Sequence, residues 1–153
     1  MKLGAVFKKE RLLKNVSTAG AAAALQLSEE TYLHVEAGQS PVERWGPLLA
    51  KIAIKLGIPT SRLVSETGKA MQARQGECGK LIRSHRERRN ISVAEMARLL
   101  DLAEAEYAEI ELGNSFIEDS GPLLLRFAEL INQPVFNLLY PCGVALEKLT
   151  DYP

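Results

Sequence analysis

The chain has 153 residues, of which 46% are apolar and 25% charged, with 19 Lys and Arg balancing 19 Asp and Glu. No apolar run approaches the ~18 residues of a membrane span, so no membrane association is expected. Cys78 and Cys142, with His34 and His85, show neither metal-ligand spacing nor a disulfide framework, which predicts no metal, no cofactor and a reducing cytoplasm.

The Ala19–Leu25 stretch follows a basic segment, as the core of a secretory signal does, but it is short and aligns with a helix of an internal repeat, which argues against a signal. That repeat organises the chain. Residues 4–65 align with 79–140 without a gap, 75 positions apart, with 21 identities in 62 pairs, where ordinary residue usage gives about 5. Asn15-Val16-Ser17 pairs with Asn90-Ile91-Ser92, Tyr32-x-x-x-Glu36-x-Gly38 with Tyr107-x-x-x-Glu111-x-Gly113, and Gly46-Pro47-Leu48-Leu49 with Gly121-Pro122-Leu123-Leu124. The expected organisation is a unit at 1–66, a linker at 67–77, a second unit at 78–141 and a tail at 142–153. Each unit is near the ~60-residue limit for folding alone. The first carries net charge +3, the linker +1, the second unit −3 and the tail −1.

In chain order, the spacing predicts a first helix over Lys2–Lys14, with Leu3, Val6, Phe7 and Leu13 as its apolar stripe. Asn15 and Asn90 suit a left-handed helix end, and Ser17 and Ser92 suit N-caps of the second helix. Glu95, three residues after Ser92, completes a capping box that Gly20 cannot. The third helix is expected over Glu29–Ala37 and Glu104–Leu112, ending at Gly38 and Gly113. Pro47 and Pro122 are expected at the first position of the fourth helix, which ends near Gly57 and Asn132. A short fifth helix follows Pro59 and Pro134. Residues 66–77 hold strong helix formers between Gly68 and Gly76, which predicts a helical linker. Residues 151–153 are expected to fray. No strand pattern appears, so the fold class expected is all-α.

A short turn between the second and third helices, within five helices, resembles the Xre/Cro-type helix-turn-helix of phage repressors. The resemblance rests on Gly79-x-x-Ile82-Arg83, Ser92-x-x-Glu95-Met96-Ala97-x-x-Leu100, Ile110-Glu111-x-Gly113 and Leu124-x-x-Phe127-Ala128-x-x-Ile131. The first copy matches more loosely through Ala22-x-x-Leu25, Val35-Glu36-x-Gly38 and Leu49-x-x-Ile52-Ala53-x-x-Leu56. It implies two tandem five-helix lambda-repressor-like domains and a DNA-binding transcriptional regulator. It also implies a third helix in the major groove and a dimer whose half-sites lie ~34 Å apart.

The base-facing positions argue with that implication. They fall on Glu29, Glu30, Thr31 and His34, then on Glu104, Ala105, Glu106 and Glu109. Cations gather on the first helix instead: Lys8, Lys9, Arg11 and Lys14, then Arg83, Arg86, Arg88 and Arg89. The expected DNA contacts are Lys8, Lys9, Arg11, Lys14, Thr18, Thr31, His34, Gln39, Arg83 and Arg86. Leu63, Val64, Leu138 and Leu139 are expected to form a homodimer surface, with the second unit serving dimerisation or docking. The rival is a protein-binding module that has lost DNA, such as an antiactivator, an antitoxin-like inhibitor or an adapter, meeting its partner at an acidic third helix. Tyr32 and Tyr107 read as core, Glu36 and Glu111 as structural ion pairs or caps. Trp45 reads as a lid over the core or an exposed anchor. No catalytic constellation appears, so the expectation is a non-enzyme.

Overall fold

The computed structural model describes residues 1–144; the expected fraying at 151–153 lies outside the described residues. Among the described residues there is no strand, and no helix is long and apolar enough to cross a membrane. The first repeat holds α1 (Leu3–Leu13), α2 (Thr18–Ala24), α3 (Glu29–Glu36), α4 (Val42–Leu56) and α5 (Thr60–Val64). The second holds α6 (Glu77–Arg88), α7 (Val93–Leu99), α8 (Glu104–Glu111), α9 (Ile117–Ile131) and α10 (Phe136–Leu139).

Punctuation residues set the helix ends. Asn15 and Asn90 stop α1 and α6 at φ 55°, and Gly38 and Gly113 follow α3 and α8 at φ 76° and 81°, since both residue types tolerate the left-handed region. Ser17 accepts from the Gly20 amide at 2.9 Å and Ser92 from the Glu95 amide at 3.0 Å, capping α2 and α7. The capping box is only half made: the Glu95 carboxylate turns to Arg98 instead of back to Ser92.

Two expectations about helix boundaries are corrected. Pro47 and Pro122 lie inside α4 and α9, which begin at Val42 and Ile117. Ser40 and Ser115 start those helices, each accepting from the amide two residues on, at 3.3 Å. The glycine before each proline removes the clash between the ring and a preceding Cβ; the missing amide and the ring's contact with the carbonyl four residues back remain as costs. The linker is not a helix either. It contains one 3-10 turn, Ala70–Gln72, flanked by extended Lys69 and Ala73. Gly68 and Gly76 adopt φ 73° and 85°, and the Ala70 amide donates to the Glu129 carboxylate at 2.9 Å rather than to a helical carbonyl.

The two repeats share one continuous core. α4 packs along α9, α5 against α6 and α9, and α10 against α1 and α4. The crossing of α4 and α9 is reciprocal. A Cβ on Gly46 would meet Leu124 at 3.3 Å, and one on Gly121 would meet Leu49, the repeat mate of Leu124, at 3.5 Å. Such mutual contact is the mark of an isologous interface, here built within one chain. Phe7 of the first repeat also meets Phe127 of the second, with ring centroids 4.1 Å apart.

This arrangement overturns the homodimer surface assigned to Leu63, Val64, Leu138 and Leu139. All four are at most 1% exposed, because the fifth helix of each repeat covers the first helix of the other. The leucines do need cover, and the sister repeat supplies it.

Candidate functional site

Two arginines expected on a phosphate-gripping surface are inside the protein. Arg11 donates through Nε and Nη2 to the two carboxylate oxygens of Glu36 at 2.6 and 3.2 Å, and through Nη1 to the Val16 carbonyl at 3.0 Å. Arg86 repeats this with Glu111 at 2.6 and 3.0 Å and with the Ile91 carbonyl at 2.7 Å. The bidentate fork ties the first helix to the third and holds the turn before the second. With 7% and 8% of their surface exposed, Arg11 and Arg86 are removed from the list of DNA contacts. Glu36 and Glu111 are structural, as the sequence predicts. Burial pushes the Glu36 carboxyl up, and the hydrogen bonds and charge of Arg11, with Tyr32 and the charge of Lys8 adding, together more than reverse this and leave it below its ordinary value. Tyr32 and Tyr107 are fully buried beside these pairs, and burial pushes both phenols far up.

Close approach makes the pairs possible. A Cβ on Gly4 would lie 2.3 Å from the Val35 carbonyl oxygen, and one on Gly79 2.6 Å from that of Ile110. A second device went unread in the sequence: Glu43 reaches back to accept from the Leu3 and Gly4 amides at the start of α1. Its mate Glu118 accepts from the Gly79 amide at 2.9 Å. The signal available was the identity of Gly4/Gly79 and Glu43/Glu118 at the repeat spacing.

The remaining candidates do not form one surface chemistry. Lys8, Lys9, Lys14, His34, Gln39 and Arg83 are exposed. Lys8 and Lys9 share an open face of α1 with Ala5, Leu12 and Leu13, and Leu13 is 65% exposed rather than in the predicted stripe. Thr18 is half-buried and its hydroxyl donates to Glu29 at 2.7 Å. The Thr31 hydroxyl lies 2.8 Å from Ser28 Oγ, which caps α3 by accepting the Thr31 amide. Arg83 lies 3.5 Å from Glu87.

The outward faces of the third helices are anionic and apolar. α3 exposes Glu29, Glu30, Leu33 and His34; α8 exposes Glu104, Ala105 and Glu109. No Lys or Arg occurs from residue 15 to residue 43, a span that includes all of α2 and α3. From residue 90 to 118 the one cation is Arg98, and it is paired with Glu95. Arg44 bonds to Glu106 of α8 and lies 4.5 Å over the Trp45 ring. That ring meets the exposed Phe116 at 6.3 Å. Trp45 is thus half-buried, one edge on the core and the other in a cluster linking the repeats. Comparison with protein-family models, curated proteins and solved structures finds no match to this chain.

Proposed function

We propose that the chain is a pair of lambda-repressor-like helix-turn-helix units, packed back to back as an internal pseudo-dimer, and that it works as a cytoplasmic protein-binding regulator rather than as a reader of duplex DNA. The observation that carries this is the absence of any free cation on either helix-turn-helix: none lies between residues 15 and 43, and the one between 90 and 118 is paired. Duplex DNA carries one charge per ~1.7 Å of its axis. A carboxylate ~4 Å from a phosphate costs about 1 kcal/mol in water and about 4 at an effective dielectric of 20. Glu29, Glu30, Glu104 and Glu109 would each meet that cost with nothing nearby to offset it. The exposed Leu33 of α3, and Leu112 at the end of α8, suit a protein partner.

The test is binding of the whole protein to a duplex of random sequence at low salt, read by fluorescence anisotropy. No binding is expected. Binding whose logarithm falls with the logarithm of salt, at a slope near −0.9 per phosphate neutralised, would overturn the reading.

A DNA-binding transcriptional regulator is the second reading, and one observation favours it. Exposed cations recur on the first helix of both repeats, as Lys8, Lys9 and Lys14 and as Arg83, Arg88 and Arg89. In that reading phosphates flanking the groove are held by these cations on the first helices, and replacing Lys8 and Lys9 by Glu abolishes affinity for the duplex.

A further inference from the structure

The two repeats diverge on two exposed faces, and the faces complement each other. On α1 the first repeat has Leu12 and Leu13, 55% and 65% exposed, beside Lys8 and Lys9. The second repeat has Glu87 and Arg88 at the leucine positions. At the corner between α8 and α9 the second repeat has Leu112 and Phe116, 66% and 53% exposed. There the first repeat has Ala37 and Pro41. Glu109 lies one helical turn before Leu112 and accepts from Asn114 at 2.8 Å, so this corner is acidic as well as apolar.

We propose that the chain associates with a second copy of itself head to tail, the α1 face of one molecule docking on the α8–α9 corner of the next. The proposal goes beyond the protein-binding reading and stands apart from it: duplex binding would sink that reading and leave this one untouched. Charge selects the geometry. A symmetric pairing of α1 faces would bring lysines against lysines, and a symmetric pairing of corners would bring Glu109 against Glu109. Only the crossed pairing puts Lys8 and Lys9 opposite a carboxylate while covering all four large apolar side chains. The interface is heterologous, so each docked copy leaves one free face of each kind and growth continues past the dimer. Two large side chains per face fall short of the ~800 Å² per partner of a standard interface. The association is therefore weak and suppressed by salt.

The test uses the full chain and two variants altered only at exposed positions, Leu12→Ser with Leu13→Ser, and Leu112→Ser with Phe116→Ser. Circular dichroism checks that both keep the helical fold. Sedimentation velocity from about 10 to 500 µM is expected to show the wild-type mass rising past a dimer, and falling back toward monomer at high salt. Each variant alone is expected to stay monomeric. An equimolar mixture of the two is expected to form a one-to-one heterodimer, because each variant keeps the face the other has lost. A wild type that stays monomeric throughout overturns the proposal. A folded variant that still associates alone overturns it too. So does a mixture that stays monomeric, because the crossed contact needs only the one intact face that each variant keeps.

Discussion

The two repeats keep their inside and change their outside. Arg11–Glu36 and Arg86–Glu111 close at 2.6 Å in both, and their third bond goes to equivalent carbonyls, Val16 and Ile91. Gly4 and Gly79 allow the same helix approach, and Asn15 and Asn90 make the same left-handed stop. The surfaces share little. Ser28 caps α3, whereas Ala103 leaves α8 without a side-chain cap. The inside differs at one polar position: Glu43 serves two amides and stays half-exposed, while Glu118 is 1% exposed with one oxygen lacking a partner. What the copies share is what the shared core requires.

Breaking a buried ion pair is the largest single-residue test of that division. Arg11→Met leaves Glu36 buried without its cation, and Arg86→Met does the same to Glu111. Each is expected to cost about 3–5 kcal/mol in urea unfolding. Because one core spans both repeats, each should lower one common unfolding midpoint. Two separate transitions would show that the repeats unfold independently. Acid adds a sign to the comparison. The folded-state value of Glu36 is depressed, so its contribution is present above the ordinary carboxylate range and lost as pH falls through the folded value. Glu118 runs the other way. Burial raises its value, partly relieved by the Gly79, Gly76 and Cys78 amides. Its contribution is present at acid pH and lost as pH rises through the folded value. The unfolding midpoint of Glu118→Gln should therefore gain on that of wild type as pH rises from about 4 toward neutral; parallel profiles would remove Glu118 from the account.

The glycines come next. Gly4→Ala and Gly79→Ala push a methyl group against backbone carbonyls at 2.3 and 2.6 Å, and each is expected to cost about 1–3 kcal/mol or more in thermal unfolding. Gly57 offers the contrast. A Cβ there meets nothing within 4 Å at φ 66°, and its repeat mate, Asn132, holds φ 55°. Gly57→Asn is expected to cost less than about 1 kcal/mol.

Much of this interior was legible because the chain states it twice. A lone Asn or Tyr is ambiguous, but Asn15 with Asn90 and Tyr32 with Tyr107 pointed to a helix stop and a core ring, and both stand. Contacts that depend on a distant segment were not legible. The stripe of α1 gave no sign that Arg11 turns inward, because the carboxylate that draws it lies 25 residues away. Leu63 and Val64 looked like an edge needing a second chain, since nothing local shows that α6 covers them. Proline usually sits at the first position of a helix, whereas α4 begins before Pro47, at Val42, with Gly46 sparing the ring a Cβ clash. The linker has helix-forming composition, yet Glu129 takes the Ala70 amide and the glycines turn. At the site, the acidity of α3 and α8 was plain in the sequence; the loss of Arg11 and Arg86 to the interior was not.

Capping gives a smaller and cleaner comparison. Ser28→Ala removes the bond to the Thr31 amide, 3.1 Å in the structure, and is expected to cost about 1 kcal/mol. Ala103→Ser supplies the missing cap to α8 and is expected to gain a similar amount. Equal and opposite shifts in the urea midpoint would show that the two third helices start alike but for this residue. No gain at Ala103 would mean that the backbone there cannot present a hydroxyl to the first turn.

The smallest expected effect is at Arg44, where the copies differ in sign: its repeat mate is Asp119. The side chain joins α4 to Glu106 of α8 across the repeats and covers the Trp45 ring. It is 62% exposed, against 37% for Glu106, so water and salt screen the pair. Arg44→Ala is expected to cost about 0.2–1 kcal/mol, with the stacking on Trp45 adding at most about 1 kcal/mol. Arg44→Leu should separate the two contributions. It keeps apolar cover on the ring and loses the charge, so the portion of the loss that it restores is packing, and the portion that vanishes in high salt is the ion pair. A loss beyond about 2 kcal/mol would mean that this bridge helps hold the repeats together, and the division between a shared interior and free exteriors would have to give way at this corner.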